Sequence, residues 1–417
     1  MISAERAILV GTAEKGESAR RRGLQELDEL ALLVEQAGGA VVYKYLQARD
    51  NPEAGLGPGA LQDLAGKVEE FDSPLVVSND DLAPSRLHHW ARTLGEGTRL
   101  IDRTQVILDI FAQRALSREG RIQVELAQLR YLLPRLRYTG SAPSRSGAGI
   151  GTRGPGETHL EMDRRKIRAR IKALEESIAV LARERSARRR RRQHHRVPLL
   201  TLVGYTNVGK STLFGRLTRR AQLAQDALFV TLDPSVHRIL IPETGPALLT
   251  DTVGFVERLP HTLVAAFRAT LDEVAQADVL LEILDASTPT LDQQQEAIEQ
   301  VLAEIGADHI KRIKVYNQWD KLPRDALKPQ DGVCVSARFD PDFRDLYTAI
   351  GRALEDFFTD QWIFVPWEDA AVWQRIYQDV IIISRHDTED GARMLIRAPR
   401  SLVPWLTKFS DQPVLPE

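Results

Sequence analysis

The run PLLTLVGYTNVGKST, residues 198–212, constrains the fold of this chain more than any other stretch. An apolar segment leads into a glycine-rich turn, and the turn opens a helix. The spacing G-x-x-x-x-G-K-S is the phosphate-loop pattern, found here in the strand–loop–helix setting the pattern requires. Gly204 and Gly209 let backbone N–H groups converge on phosphate oxygens, Lys210 reaches the β/γ oxygens, and the Ser211 hydroxyl is a ligand for Mg²⁺. Such a unit is one turn of a doubly wound α/β sheet, which sets the expected fold class of this region.

Three later stretches extend the pattern in the right order. PALLTD ends at Asp251, and a carboxylate at the C-terminal end of a strand faces the crevice where a nucleotide lies. Asp251 is therefore expected to hold Mg²⁺, and Gly254 in DTVG to offer its N–H to a γ-phosphate. In FVTLDPS, Thr231 is the candidate second hydroxyl ligand, with Ser235 close by. NQWD, Asn317 to Asp320, follows the strand IKVY. An aspartate there offers two acceptors to the guanine N1–H and amino group, whereas adenine has no donor at N1 and would leave the carboxylate unpaired. VCVSA ends in Ser336 and Ala337, where a backbone N–H could meet the guanine carbonyl. The expected nucleotide contacts also take in Tyr205, Thr206, Asn207, Val208 and Thr212 of the loop, Phe229, and Gln318.

The rest of the chain bounds the setting. Its 417 residues are 43% hydrophobic and 27% charged, enough for two or three cored domains. No apolar run reaches the roughly 18–20 residues needed to span a bilayer, and the start, MISAERAILVGTAEKG, lacks the pattern of a secretory signal. The one cysteine, Cys334, rules out an internal disulfide framework and fits a reducing compartment. Residues 1–110 alternate short apolar runs with helical patterns, which predicts a small, mostly parallel α/β sheet. Residues 111–196 read as two long helices whose seams are Ile122, Leu126, Leu129 and Leu133 in one and Ile167, Ile171, Leu174, Ile178 and Leu181 in the other. An antiparallel hairpin burying both seams is the simplest arrangement, and a homodimeric coiled coil the rival. Residues 197–358 form the phosphate-loop domain and 359–417 a small α+β domain. In the latter, Trp362, Trp367, Trp373 and Trp405 read as core anchors rather than a stacking platform.

A net charge of -2 hides one strongly cationic segment, Arg164 to Arg196, with Arg188 to Arg192 consecutive. It suggests a polyanionic partner, against the alternative of a solvated helix face neutralised by acidic neighbours. Between the helices, at about 139–158, lies TGSAPSRSGAGIGTRGPGETHLE, rich in Gly, Ser and Pro and carrying Arg145 and Arg153. It reads either as a cationic tip that enters a crevice of folded RNA or as a plain surface loop.

The order GYTNVGKS, TLDPS, DTVGF, NQWD, VSA resembles the translation-factor-related class of small GTPases. With GTRGPGETHLEMDRRKIRARI, LIDRTQVILDIFAQRALSREGRIQVELAQLRYLLPRL and DTVGFVERLPHTLVAAFRATLDE, nearly the whole chain is similar to the HflX family of ribosome-associated GTPases. The resemblance implies a cytoplasmic, Mg²⁺-dependent GTPase, mainly monomeric when free, that binds the large ribosomal subunit. It implies a hairpin tip reaching ribosomal RNA near the peptidyl-transferase region, with Arg145, Arg153, Arg164, Arg165 and Lys166 as candidate RNA contacts. It further implies splitting or rescue of ribosomes, particularly under heat stress. The family's usual NKxD is NQWD here, so Gln318 stands where a lysine stem normally packs on the base.

Many GTP hydrolases carry a water-orienting Gln after DxxG, and this chain has Phe255. A hydrophobic residue there is itself a trait of the family. The expectation is slow intrinsic turnover completed by the ribosome, against a water oriented by His237 or His261. The catalytic candidates are Lys210, Gly254 and Thr231. A non-catalytic reading remains beside the enzyme, a nucleotide-sensing RNA-binding factor in which hydrolysis is incidental. A third reading, an ATP-driven RNA remodeller using the N-terminal domain, finds no second phosphate loop to support it.

Overall fold

The computed structural model describes residues 5–95, 97–139, 155–193, 197–219, 235–252, 254 and 274–410. The chain falls into two compact units, formed in the main by residues up to Ala179 and from Val180 onward.

In the first unit, β1 (Glu5–Glu14), α1 (Glu17–Gln36), β2 (Gly39–Arg49), α2 (Pro58–Glu70), β3 (Leu75–Ser78), α3 (Pro84–Leu94) and β4 (Arg99–Asp102) alternate. They build a four-stranded sheet of order β2-β1-β3-β4, parallel throughout. β3 is buried at every position, the continuous apolar run expected of a parallel strand covered on both faces. Ile8, Val10, Val76, Leu61, Leu64 and Trp90 pack one face of this core.

α4 (Arg103–Arg114) follows β4 without a break and is capped by Asp102, which accepts from the Gln105 N–H at 3.1 Å. α5 (Arg118–Thr139) and α6 (Pro155–Gln193) are the two long helices. Along α6, from Met162 to Glu184, the seam residues Ile167, Ile171, Leu174, Ile178 and Leu181 are among the few that are covered, while the flanking charged residues are mostly exposed. The seam periodicity therefore reports burial correctly. Two ion pairs join the helices: Arg130 to Glu175 at 2.6 Å, and Arg170 to Glu125 through two bonds of 2.6 and 2.8 Å. Arg170 of the cationic segment is thus neutralised by Glu125 of α5, distant in sequence, while Glu175, one of the segment's own acids, is taken by Arg130 of α5.

The second unit holds β5 (Leu199–Gly204), α7 (Lys210–Leu217), β6 (Ser235–Ile241), β7 (Gly245–Asp251), β8 (Val279–Asp285), α8 (Leu291–Glu304), β9 (Lys311–Asn317), β10 (Gly332–Cys334) and α9 (Arg344–Ala353). The sheet order is β10-β9-β8-β5-β7-β6, parallel except for β6, which runs antiparallel to β7. β5 lies between β7 and β8, so the strand order reverses at the strand that carries the phosphate loop. That is the switch point at which such sheets leave a crevice.

A third sheet, β11-β13-β12, is antiparallel and built from β11 (Phe358–Pro366), β12 (Ile381–Asp387) and β13 (Gly391–Pro399), with α10 (Ala370–Asp379) between the first two. Phe358, at the start of β11, is buried in the core of the phosphate-loop domain. A Cβ on Gly245 would meet its ring at 2.5 Å, so that position accepts only glycine without repacking. Arg397 donates to the Glu243 carbonyl at 2.9 Å, and Arg238 pairs with Asp379 at 2.8 Å, tying this sheet to the β6–β7 edge. The four tryptophans do not share one role. Trp405 is half-buried and leans on Phe409, whereas Trp367 is an exposed side chain. Among the described residues no helix is long and apolar enough to cross a membrane.

Candidate nucleotide site

The phosphate loop leaves β5 through two special backbone positions. Gly204 has φ 152°, and a Cβ there would sit 2.3 Å from the Ile283 carbonyl oxygen. Gly209, at φ 92°, would drive a Cβ to 2.3 Å from Asn317 Nδ2. Any larger residue must displace a neighbouring strand or the Asn317 clamp. Asn207 also lies in the left-handed region, at φ 64°, which asparagine tolerates better than most residues.

Lys210 opens α7 and folds back under the loop. Its Nζ donates to the carbonyls of Gly204 at 3.0 Å and Tyr205 at 2.6 Å. Burial pushes the ammonium down to about 8, against an upward pull from Asp251. The next residue, Ser211, donates its hydroxyl to Asp251 Oδ2 at 2.9 Å, and Asp251 is 1% exposed. Thr252 donates to the Leu202 carbonyl at 2.6 Å, pinning the start of DTVG to β5. Gly254 then passes directly over the loop, where a Cβ would lie 2.8 Å from Thr206 Cγ2 and 2.9 Å from Lys210 Nζ.

The NQWD segment reaches the same loop from the β9 side. Asn317 donates to the Val208 carbonyl at 2.7 Å and accepts from the Ala337 N–H at 2.8 Å, so one side chain joins two loops. Gln318, at φ 61°, donates to the Asn207 carbonyl at 3.3 Å. Asp320 Oδ1 accepts from the Ser336 hydroxyl at 2.6 Å. The Ser336 N–H donates to Asp340 at 2.9 Å. Both it and the Ala337 N–H are engaged within the protein, because Asp340 and Asn317 close the turn after β10.

Sequence reasoning missed Arg216. It donates to the carbonyls of Ala337, Arg338 and Asp340, anchoring α7 to that turn. No local signal marks it, since the partners are more than a hundred residues away. Tyr205, Thr206 and Val208 are buried in the loop, Asn207 is exposed, and Thr212 is half-buried on α7. Phe229, Thr231, Phe255, His261, Arg145 and Arg153 lie outside the described residues, as does the side chain of Ser235. Arg164 is half-buried beside Glu161 at 3.9 Å, Arg165 is exposed, and Lys166 pairs loosely with Asp163 at 3.7 Å. His237 packs edge-on against Phe214.

A phosphate loop at the end of β5, a carboxylate at the end of β7 and an Asn-x-x-Asp after β9 converge on one crevice. That geometry defines a phosphate-loop nucleotide hydrolase domain. Residues 24–112 match a family model described as GTP-binding GTPase N-terminal, 114–192 the GTP-binding GTPase middle region, and 200–318 the 50S ribosome-binding GTPase. The chain is 44% identical over 352 residues to GTPase HflX of Caldanaerobacter subterraneus subsp. tengcongensis, a match covering 84% of this chain and 81% of that one. It is 37% identical over 404 residues to GTPase HflX of Escherichia coli, covering 94% of each. A GTP-binding protein of Sulfolobus solfataricus crystallised with GDP matches with a TM-score of 0.43 and 22% identity, over 84% of this chain and 99% of that one. The chain belongs to the HflX family, and it is a GTPase.

Proposed function

We propose that this GTPase is Mg²⁺-dependent, binds the large ribosomal subunit, and acts in splitting or rescuing ribosomes or in their biogenesis under stress, with hydrolysis stimulated by the ribosome. The observation that carries the nucleotide half is the convergence of Lys210, the Ser211–Asp251 pair and Gly254 within a few ångströms of one another. Lys210 meets the β/γ oxygens by exchanging its two carbonyl partners for phosphate. Gly254 brings its backbone over the loop where no side chain fits, so its N–H is the group that registers a γ-phosphate. Asp320, its Oδ1 held by Ser336, is the acceptor for guanine.

The donor set suits Mg²⁺. Ser211 Oγ and Asp251 Oδ2 are hard oxygens 2.9 Å apart, and a small divalent ion of this kind takes one or two such ligands and completes its shell with phosphate and water. When bound, Mg²⁺ supplies charge neutralisation on the β and γ oxygens. Thr231 is the proposed second hydroxyl ligand.

The ribosomal half rests on the family and on the cationic α6, in which Arg165 and Lys166 are exposed. These two, with Arg145, Arg153 and Arg164, are the proposed RNA contacts near the hairpin tip. Phe255 offers no hydrogen bond to a water, so intrinsic turnover is slow and the ribosome supplies the missing order. The test is GTP hydrolysis at fixed Mg²⁺ with and without purified large subunits. Stimulation of about a hundredfold or more supports this reading. A slow rate unmoved by saturating subunits overturns it and leaves a nucleotide-sensing binding factor.

A further inference from the structure

The C-terminal sheet carries a surface feature that the nucleotide site does not use. Trp367, Trp373 and Tyr377 form a ladder. The two indoles stack with centroids 5.2 Å apart and planes 9° from parallel, and Tyr377 continues the stack at 5.9 Å. Trp367 is 42% exposed and Tyr377 59% exposed. Both indole N–H groups are satisfied inside the domain, Trp367 by the Thr388 carbonyl at 3.1 Å and Trp373 by the Pro366 carbonyl at 3.0 Å. What the two indoles present to their surroundings is therefore π surface rather than a hydrogen-bond donor.

Arg385 shows what that surface accepts. Its guanidinium lies over both indoles, 5.5 Å from the ring of Trp367 and 5.3 Å from that of Trp373. It also donates to the Tyr377 hydroxyl at 2.7 Å and pairs with Asp387 at 2.6 Å. The chemistry is cation–π stacking closed by a carboxylate.

The frame around the ladder fixes the sign of the partner. The segments Trp367–Asp369 and Asp387–Asp390 are held together where the Trp367 N–H meets the Asp390 carbonyl. They contribute Glu368, Asp369, Asp387, Glu389 and Asp390, all exposed, and no Lys or Arg; Arg385 on the ladder is matched by Asp387, so the other four carboxylates set the sign of the rim. A phosphate backbone approaching the exposed indole would meet these carboxylates, whereas a peptide carrying Arg or Lys would be drawn in by them. Aromatic residues are enriched in protein interfaces, whose rims are polar.

We propose that this face binds a cationic segment of a partner protein, with an Arg or Lys side chain stacking on Trp367 and the acidic rim setting charge selectivity. The inference stands apart from the nucleotide reading and uses none of its residues. It is tested on the full chain by titrating a labelled Arg–Gly repeat peptide, the matching Glu–Gly peptide and a short oligouridylate. The Arg–Gly peptide is expected to bind and the other two to bind much more weakly. Trp367→Ala should weaken the peptide by about tenfold. The double change Glu389→Gln with Asp390→Asn, which leaves the stack and the fold in place, should weaken it by about three- to tenfold and flatten its salt dependence. GTP hydrolysis should be unchanged in both. Peptide binding that neither variant alters overturns the proposal, because the peptide then sits elsewhere. Oligouridylate binding that is lost in Trp367→Ala also overturns it and makes the ladder a base-stacking platform.

Discussion

Asp102, at the C-terminal end of β4 in the first unit, and Lys210, which opens α7 beyond β5 in the second, are both buried ionisable groups, yet their surroundings differ. Asp102 is fully buried, and four donors reach it: the Leu82 N–H at 3.2 Å, the Gln105 N–H at 3.1 Å, the Tyr131 hydroxyl at 2.7 Å and Arg135 at 2.9 Å. Arg135 stacks on the Tyr131 ring at 3.5 Å, closing the cluster. Burial pushes the Asp102 carboxyl up, and the Tyr131 hydroxyl, Arg135 and the Gln105 amide pull it back. Lys210 is 6% exposed, and two neutral carbonyls accept from it. Burial wins at both sites: the Asp102 carboxyl stays above its ordinary value despite its donors, and the Lys210 ammonium falls to about 8. A buried charge met by an opposite charge and several hydrogen bonds ties elements together. One whose hydrogen bonds go to neutral carbonyls, and whose nearby carboxylate, Asp251, pulls less than burial pushes, is a strained site that an anionic ligand relieves.

The comparison is broken most directly at Lys210. Lys210→Ala should cut GTP turnover by at least about 10²–10³-fold, the cost of losing one preorganised charge at a reacting phosphate. The nucleotide-free protein should melt no lower than the parent, because the change removes a desolvated cation. A parallel loss of activity and of melting temperature would mean that Lys210 holds the loop together as Asp102 holds its helices.

The same operation at Asp102 should have the opposite signature. Asp102→Ala leaves the Tyr131 hydroxyl without its carboxylate acceptor and Arg135 with carbonyl partners alone, and it removes the cap of α4, a cost of about 3–5 kcal/mol. Hydrogen exchange in α4 and α5 should accelerate, while subunit-independent GTP turnover stays within about twofold. Exchange confined to its parent rate would show that the network is dispensable.

Titration sharpens the contrast. The Lys210 ammonium in the folded protein lies below its ordinary 10.5, so its burial cost is fully present below about pH 8 and is relieved as pH rises from about 8 toward 10.5. Phosphate favours the charged form. Nucleotide binding should therefore take up a proton above pH 8, and GDP affinity should fall by roughly tenfold for each further unit. Calorimetry at pH 8.5 in buffers of different ionisation enthalpy reads the uptake. The component owed to the lysine should be missing in Lys210→Arg, whose guanidinium does not titrate there.

How much of this was legible depends on the span of the interactions. The phosphate loop, Asp251 and Asn317–Asp320 are short runs whose spacing encodes their own geometry, and the seam of α6 follows a single helical period, whereas on α5 Gln123, Val124, Ala127 and Tyr131 are buried beside the expected seam. The clamp by Asn317 joins loops more than a hundred residues apart on one side and twenty on the other, and nothing local announces it. The aromatic ladder escaped for a related reason. Trp367 follows β11 while Trp373 and Tyr377 lie on α10, so no one periodicity aligns them. The acidic rim completing that face comes from the β12–β13 turn. The bond from the Ser336 N–H to Asp340, four residues on, likewise closes a turn that the run VCVSA does not announce.

Gln318 offers the smallest and finest adjustment of the site. Its backbone sits at φ 61°, a left-handed conformation that any non-glycine side chain bears at some cost, so exchanging it for lysine leaves that strain unchanged. What changes is contact. Gln318 donates to the Asn207 carbonyl at 3.3 Å, an exposed and long bond. A lysine stem has two more methylenes and lies against a base, and each methylene fully buried is worth about 0.8 kcal/mol. Gln318→Lys should therefore raise GDP affinity by about two- to fourfold, read by displacement of a fluorescent guanine nucleotide, with no change in the preference for guanine, which rests on Asp320. A fall in affinity would show that the Gln318–Asn207 bond holds the loop in its binding shape. The restraint at Lys210 would then extend to the loop's rim.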